Sequence, residues 1–529
     1  MFDILIKDGM VIDGSGNPWY KADIGVKQGK IVSIAHSLED DHAKEVVNAS
    51  GLTVAPGFID MHSHSDLMLF EKPEAEEKTR QGITTELLGQ DGIGVAPISE
   101  NNIHNWRQVL SGLAGNPDIN WQWRSFGSYL DALQERKTST NPVVLATHGA
   151  IRQEVVGLDN RQTTAEELEE MKKLVAEAME AGAVGLSLGL IYLPCFYASR
   201  NELVEMYRVA AAYNGFMVVH IRNEADLAEE AMQEVIEITQ EAGVPLHVSH
   251  FKTAGRSNWH KSEIMLQMAE GARAKGHEIT FDQYPYTAGS TMFFAILPQW
   301  ALEGGAEKML KRLEDRDLRG KIKEDIKNGI PGWQNMIKDS GWENVMITSV
   351  RTEENKHLEG KYMTEIAAEL SRDPVEAAMD LLVEEKAAVG MATFAQSEDN
   401  VRKILQHDCQ MVCTDGLLGG KPHPRVYGSY PKVLGKYVRE EKIITLPQAI
   451  RKMTSFPAQR LGLKDRGIIR EGMIADIVVF DADKVIDRAT YADPRQYPLG
   501  IDHVMVNGTF VIKNSEHTKK KPGKVLRRQ

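Results

Sequence analysis

Eight short apolar runs, with helical patterns between most of them, restrict what this 529-residue chain can fold into more than any other feature. They fall at 54–59, 83–88, 143–147, 184–188, 216–219, 246–249, 278–281 and 411–414. Residues 165–181 carry Leu168, Met171, Leu174, Val175 and Met179 at helical spacing. Patterns at 224–242 and 261–275 are closed by Gly243 and Gly276, the residue type that best tolerates the left-handed turn after a helix. Strands that alternate with helices lie parallel, because a parallel return needs a long crossover. Eight of them predict a closed (β/α)8 barrel in preference to an open doubly wound sheet.

The two ends of the chain have a different texture. FDILIKDGMVIDG places Asp8-Gly9 between alternating runs, which predicts a hairpin, and Gln28-Gly29 and Asn507-Gly508 predict two more. Residues 1–55 and 466–529 are therefore expected to build one small β-sandwich, with the barrel over 56–465. Two stretches exceed the barrel count. Residues 92–140 contain Trp106, Trp121 and Trp123; residues 285–409 contain a ninth strand-like run at 345–350. Structureless loops of such length are uncommon, so 285–409 is expected to be an insertion with helices on the barrel rim. These regions are expected to supply a lid and a pocket. Their apolar residues, including Met292, Phe293, Phe294 and Trp300, favour a hydrophobic substrate side chain.

Each apolar run of interest delivers an imidazole or carboxylate at its end. His62 and His64 follow the first run in GFIDMHSHSD, and Asp91 follows the second in GQDG. His220, His250 and Asp415 stand in MVVHIRNE, LHVSHFK and MVCTDG. Nitrogen and carboxylate oxygen are the donors zinc prefers. In an extended segment residues i and i+2 face the same way, so His62 and His64 can share one ion. The C-terminal strand ends of a barrel gather at one rim, which brings the remaining ligands together. Zinc polarises a carbonyl and lowers the pKa of its water towards ~7. Asp415 is the candidate general base, taking the proton from water and passing it to a leaving nitrogen. His148, in VVLATHGAIR, is the candidate donor to the carbonyl oxygen, or else a group that supports the ligands from behind. Lys252, Tyr284 and Arg425 are the candidate substrate-facing residues, the two cations suiting a carboxylate, with a solvated rim position the other reading for Lys252.

The formal net charge of -13 argues against a nucleic-acid partner, and the basic stretch EHTKKKPGKVLRRQ is read as a solvated tail. No apolar stretch is long enough to cross a membrane, and the first residues carry Asp3 and Asp8 where a signal peptide would be apolar. Three cysteines, Cys195, Cys409 and Cys413, give no disulfide framework, so the expected compartment is the cytoplasm. The expected partner is a small-molecule substrate, and self-association is left open.

The motifs APGFIDMHSHSD, QGITTELLGQDGIG, ATHGAIR, GAVGLSLGLIYLP, SHFKTAG, DQYPYTAGST, PHPRVYGSYPKVLGKYV and GMIADIVVFD run almost end to end. Together they resemble the N-acyl-D-amino-acid deacylase (D-aminoacylase) branch of the amidohydrolase superfamily. The resemblance implies a (β/α)8 barrel beside a small β-sandwich and a metal-dependent hydrolysis of the amide of N-acyl-D-amino acids. It implies that His220 and His250 hold the tight zinc with the residue at position 91. His62 and His64 belong to a weaker position, Asp415 is the base, and Lys252 and Arg425 bear on the substrate carboxylate. The branch carries cysteine where this chain has Asp91. Aspartate is harder than thiolate and can bridge two ions, so one tight zinc is expected beside a second Zn, Mn or Co. The other readings are a hydantoin- or dihydroorotate-like cyclic amide hydrolase, a small dipeptidase, and an inactive scaffold barrel.

Overall fold

The computed structural model describes residues 1–113 and 117–528. At its centre eight parallel staves close a barrel. They are β1 (Phe58–Asp60), β2 (Ile83–Leu88), β3 (Asn141–Val144 continued by Ala146–Thr147) and β4 (Leu186–Gly189). β5 (Met217–His220), β6 (Leu246–Val248), β7 (Ile279–Gln283) and β8 (Gln410–Val412) complete the set. The first half of β3 pairs with β2 and its second half with β4, so the interruption at Leu145 marks a change of partner. The circle closes beyond the strands, where Asp415 N–H donates to the His62 carbonyl at 2.8 Å. A parallel bridge joins Ser63 to Gly416 at the same place. Each stave is buried on both faces because side chains fill the barrel on one side and helices cover the other.

The run at 54–59 is expected as one strand and is two. Thr53–Pro56 pairs antiparallel with Ile477–Phe480 in the terminal domain, and β1 begins only after Gly57. A Cβ at Gly57 would overlap the Thr84 side chain, so the crossing from one sheet to the other needs glycine. Both halves are buried, and hydrophobic pattern alone does not distinguish which sheet a buried strand joins.

Both termini build a single nine-stranded sheet. Ile4, Ile6, Ile24, Val26 and Val47 from the first end share its core with Ile477, Val479, Met505 and Phe510 from the other. Gln28-Gly29 and Asn507-Gly508 turn hairpins as expected. Asp8-Gly9 does not. Phe2–Val11 is one continuous strand, with a register shift between Ile6 and Gly9 and Asp8 at φ 58°. The same dipeptide that closes a hairpin here forms a bulge, because the chain continues along its partner.

The insertion carries an antiparallel sheet, Gly289–Met292, Gly390–Thr393 and Val345–Ser349, with Gly390–Thr393 in the middle. Helices including Arg316–Asn328, Met336–Ser340 and Pro374–Glu384 surround it. The tryptophans expected at the pocket are packing residues. Trp106, Trp121 and Trp123 are 0%, 2% and 3% exposed, and the indole N–H of Trp123 donates to the Val95 carbonyl at 2.7 Å. Met292, Phe293 and Phe294 are buried in the same core.

The basic tail is also not free. Backbone N–H groups of Gly523, Leu526 and Arg528 donate to the carbonyls of Thr138, Pro142 and Gly182 at 2.8, 2.8 and 3.0 Å. Thr138 precedes β3, Pro142 is its second residue and Gly182 precedes β4, so the tail straps the amino-terminal end of the barrel. Its cations meet acids on the barrel surface, Lys521 with Glu74 and Arg527 with Asp131.

Candidate metal centre

The six expected ligands converge at the carboxyl ends of the staves. His220 is the last residue of β5, and the others lie just beyond β1, β2, β6 and β8. Asp91, His250 and Asp415 have φ of 57°, 33° and 47°, the left-handed region that costs a non-glycine residue on the order of 1 kcal/mol. Fixed hydrogen bonds hold these turns. The Asp282 carboxylate accepts from His250 N–H at 2.8 Å, and the Ser187 hydroxyl accepts from Gly92 N–H at 3.1 Å.

Ligands about 2.1 Å from a tetrahedral zinc lie about 3.4 Å from one another. One group meets this spacing closely. His62 Nε2 and His64 Nε2 are 3.2 Å apart, and Asp415 Oδ1 lies 3.6 and 3.4 Å from them. Asp91 Oδ2 lies 3.6 and 3.5 Å from the same nitrogens. The other oxygen of Asp91 faces the opposite way, 3.6 Å from His250 Nε2 and 4.0 Å from His220 Nδ1. One carboxylate therefore stands between two donor groups. Asp91 Oδ1 and both nitrogens of His220 are buried without a hydrogen-bond partner. Asp91 Oδ1 and His220 Nδ1, 4.0 Å apart, are two orphaned polar atoms on the same side, which fits a cation between them.

The surroundings aim these groups. The His62 ring points Nδ1 at Asp282, 3.8 Å away, and Asp282 pairs with His247 at 2.9 Å. Asp60 accepts from Lys78 at 2.7 Å and from Thr414 N–H at 2.8 Å, tying β1 to the end of β8. Burial would raise the Asp91 and Asp415 carboxyls. For Asp91 the His62 and His250 imidazoles outweigh it, and for Asp415 the Arg425 guanidinium and then His62 do, so both are held well below the carboxylate range. Burial pushes His220 down to about 3, leaving a neutral imidazole of the kind a metal binds.

Lys252, Tyr284 and Arg425 line the same cavity as His64, Asp91, His220, His250 and Asp415. Arg425 Nη1 lies 2.8 Å from Asp415 Oδ2, Nη2 donates to the Ser290 carbonyl at 3.0 Å, and the guanidinium stacks 4.5 Å over the Tyr284 ring. Lys252 Nζ donates to Glu224 at 2.6 Å and lies 2.7 Å from His250 Nδ1.

His148 is elsewhere. It opens the helix His148–Val155, and its ring lies buried between Cys195 Sγ at 3.4 Å and Glu202 Oε1 at 2.9 Å, outside the cavity lining. It cannot reach a substrate carbonyl from there. Glu224 was missed by pattern reading. The expected helix from 224 begins at Ala228, and the released Glu224 carboxylate lies 3.2 Å from His250 Nδ1 and 3.6 Å from His220 Nε2. Its position four residues after His220 in HIRNE was the available signal.

The sequence pattern of the amidohydrolase family matches residues 45–512. The N-acyl-D-glutamate deacylase of Alcaligenes xylosoxydans xylosoxydans is 37% identical over 527 residues, covering 99% of this chain and 96% of the relative. The D-aminoacylase of the same organism is 34% identical over 529 residues, covering 100% and 98%. The crystal structure of the N-acyl-D-glutamate deacylase from Bordetella bronchiseptica, complexed with zinc and a phosphonate inhibitor, is similar at a TM-score of 0.85. Its identity is 36%, with 99% of both chains covered. On the stave order, the ligand-bearing rim and these full-length likenesses, the chain belongs to the amidohydrolase family.

Proposed function

We propose that this protein hydrolyses the amide bond of N-acyl-D-amino acids, giving a carboxylate and a free D-amino acid, with divalent metal at the His62, His64, Asp91, His220, His250 and Asp415 group. The observation that carries the reading is one cavity in which this donor set faces two cations, Lys252 and Arg425. The zinc-bound relative and its inhibitor support the same chemistry. The metal, when bound, polarises the acyl carbonyl and lowers the pKa of water. Asp415 accepts the proton and returns it to the leaving nitrogen, and Arg425 beside it keeps the carboxylate ionised. Arg425 and Lys252 hold the α-carboxylate, with Tyr284 stacked beneath the guanidinium. Asp91 presents one oxygen to each side, so it would help hold one tight zinc and a second, weaker ion. A solved D-aminoacylase at TM-score 0.84 and 30% identity has a binuclear metal centre, which supports this count. The three cysteines are unpaired, which suits the cytoplasm.

The test is turnover of N-acetyl-D- and L-amino acids beside hydantoin and dihydroorotate by zinc-loaded protein. Hydrolysis of the D-amides is expected. Activity confined to the cyclic amides would move the function to that class.

A further inference from the structure

The far wall of the cavity is shared by the insertion, the 92–140 excursion and the loop after β6. Leu113, Ala254 and Met336 give it an apolar surface, and Gln334 and Asp339 give it a polar end. Asp339 belongs to the helix Met336–Ser340, which is fixed to the barrel. Gln334 Oε1 accepts from Glu224 N–H at 2.8 Å, and Asn335 caps the helix by accepting from Lys338 N–H at 3.1 Å. A Cβ at Gly255 would come within 3.3 Å of the Asp339 side chain, so the loop after β6 lies close against it.

Asp339 Oδ2 is buried and has no hydrogen-bond partner among the described residues. Burial, and then the like charge of Asp226, push this carboxyl up to about 7, outweighing the Lys338 ammonium and a hydrogen bond from Gln334 that act the other way. The lysine and arginine among the described lining residues are Lys252 and Arg425, and each is already paired, with Glu224 and Asp415. A substrate with a second carboxylate would meet Asp339 and find no third cation. A substrate with an alkyl stem and a cationic head would lay the stem on Leu113 and Met336 and give Asp339 its partner.

On the deacylase reading, we infer that Asp339 is a specificity residue selecting N-acyl-D-amino acids whose side chain ends in a cation, the lysine and arginine type. The experiment measures kcat/KM of the zinc-loaded full chain for N-acetyl-D-lysine, N-acetyl-D-leucine, N-acetyl-D-glutamate and N-(6-aminohexanoyl)-D-leucine. The expected order is lysine about tenfold or more above leucine, with glutamate lowest. In D339N the lysine-to-leucine ratio falls about tenfold, carried by KM, while D339E restores it in part. Circular dichroism checks that both variants fold.

Leucine or glutamate matching lysine in the parent protein would overturn the inference, as would an unchanged ratio in D339N. A preference for the aminohexanoyl compound over N-acetyl-D-lysine would place Asp339 at the acyl group and overturn the side-chain assignment. If no D-amide is hydrolysed while a cyclic amide is opened, the deacylase reading itself fails, an outcome distinct from any reordering among D-amides.

Discussion

Asp415 divides its two oxygens between different tasks. Oδ1 lies 3.4 Å from His64 Nε2, and Oδ2 lies 2.8 Å from Arg425. Replacing it with asparagine keeps a donor oxygen and removes the base, so D415N should lose about 10²-fold or more in kcat. Elemental analysis should find its metal content largely retained; near-normal turnover would place the proton elsewhere. Asp91 makes the opposite prediction. D91A removes the oxygen on both sides, so metal content itself should fall, read by the same analysis with no assay needed. His148 has a structural consequence. Its burial opposes the charged form, but the Cys195 sulfur and then Glu202 outweigh it, and the imidazole is raised to about 9. The ordinary value of 6.5 is lower, so this contribution to stability is full below about pH 6.5 and is lost as pH rises through about 9. Urea midpoints should decline across that window, and H148Q should flatten the decline.

At the scale of the element, stave ends depend on glycines that make room for ligand backbones. A Cβ on Gly189, the last residue of β4, would overlap the Asp91 carbonyl oxygen. G189A should therefore displace the Asp91 turn, costing about 1–3 kcal/mol of stability and part of the bound metal. Thermal unfolding and elemental analysis together check this, and a variant with full metal and unchanged midpoint would refute it. The same scale shows why some elements were legible and others were not. The β5 and β6 runs end in a histidine or just short of one, so their position and chemistry are written together. The run at 54–59 serves two sheets, and Asp8-Gly9 bulges where the same dipeptide elsewhere turns, because the partner strand decides the outcome. Glu224 lay inside a helical pattern whose first turn is given up so that its carboxylate can reach His220, His250 and Lys252.

For the whole molecule, the C-terminal strap joins the terminal sheet to the base of the barrel. Deleting 519–529 removes three backbone hydrogen bonds and the half-buried Leu526 from the core beneath β3. A loss on the order of 2–4 kcal/mol follows, seen as a lower unfolding midpoint, with the metal centre at the opposite rim still loading. The sequence by itself determined the stave count, the β-rich texture of both ends and the strand-end position of the six candidate donors. These are local matters of period, strand-end position and side-chain chemistry, which one chain carries without reference to its neighbours. Only the tertiary structure decided which candidate donors stand close enough to share an ion, because the two oxygens of Asp91 meet different imidazoles only when the barrel closes. It also moved His148 behind the site, buried the tryptophans, tied down the basic tail and brought Asp339 to the substrate cavity. Each of those depends on what a residue packs against across the fold, and burial and distance are properties of the closed molecule.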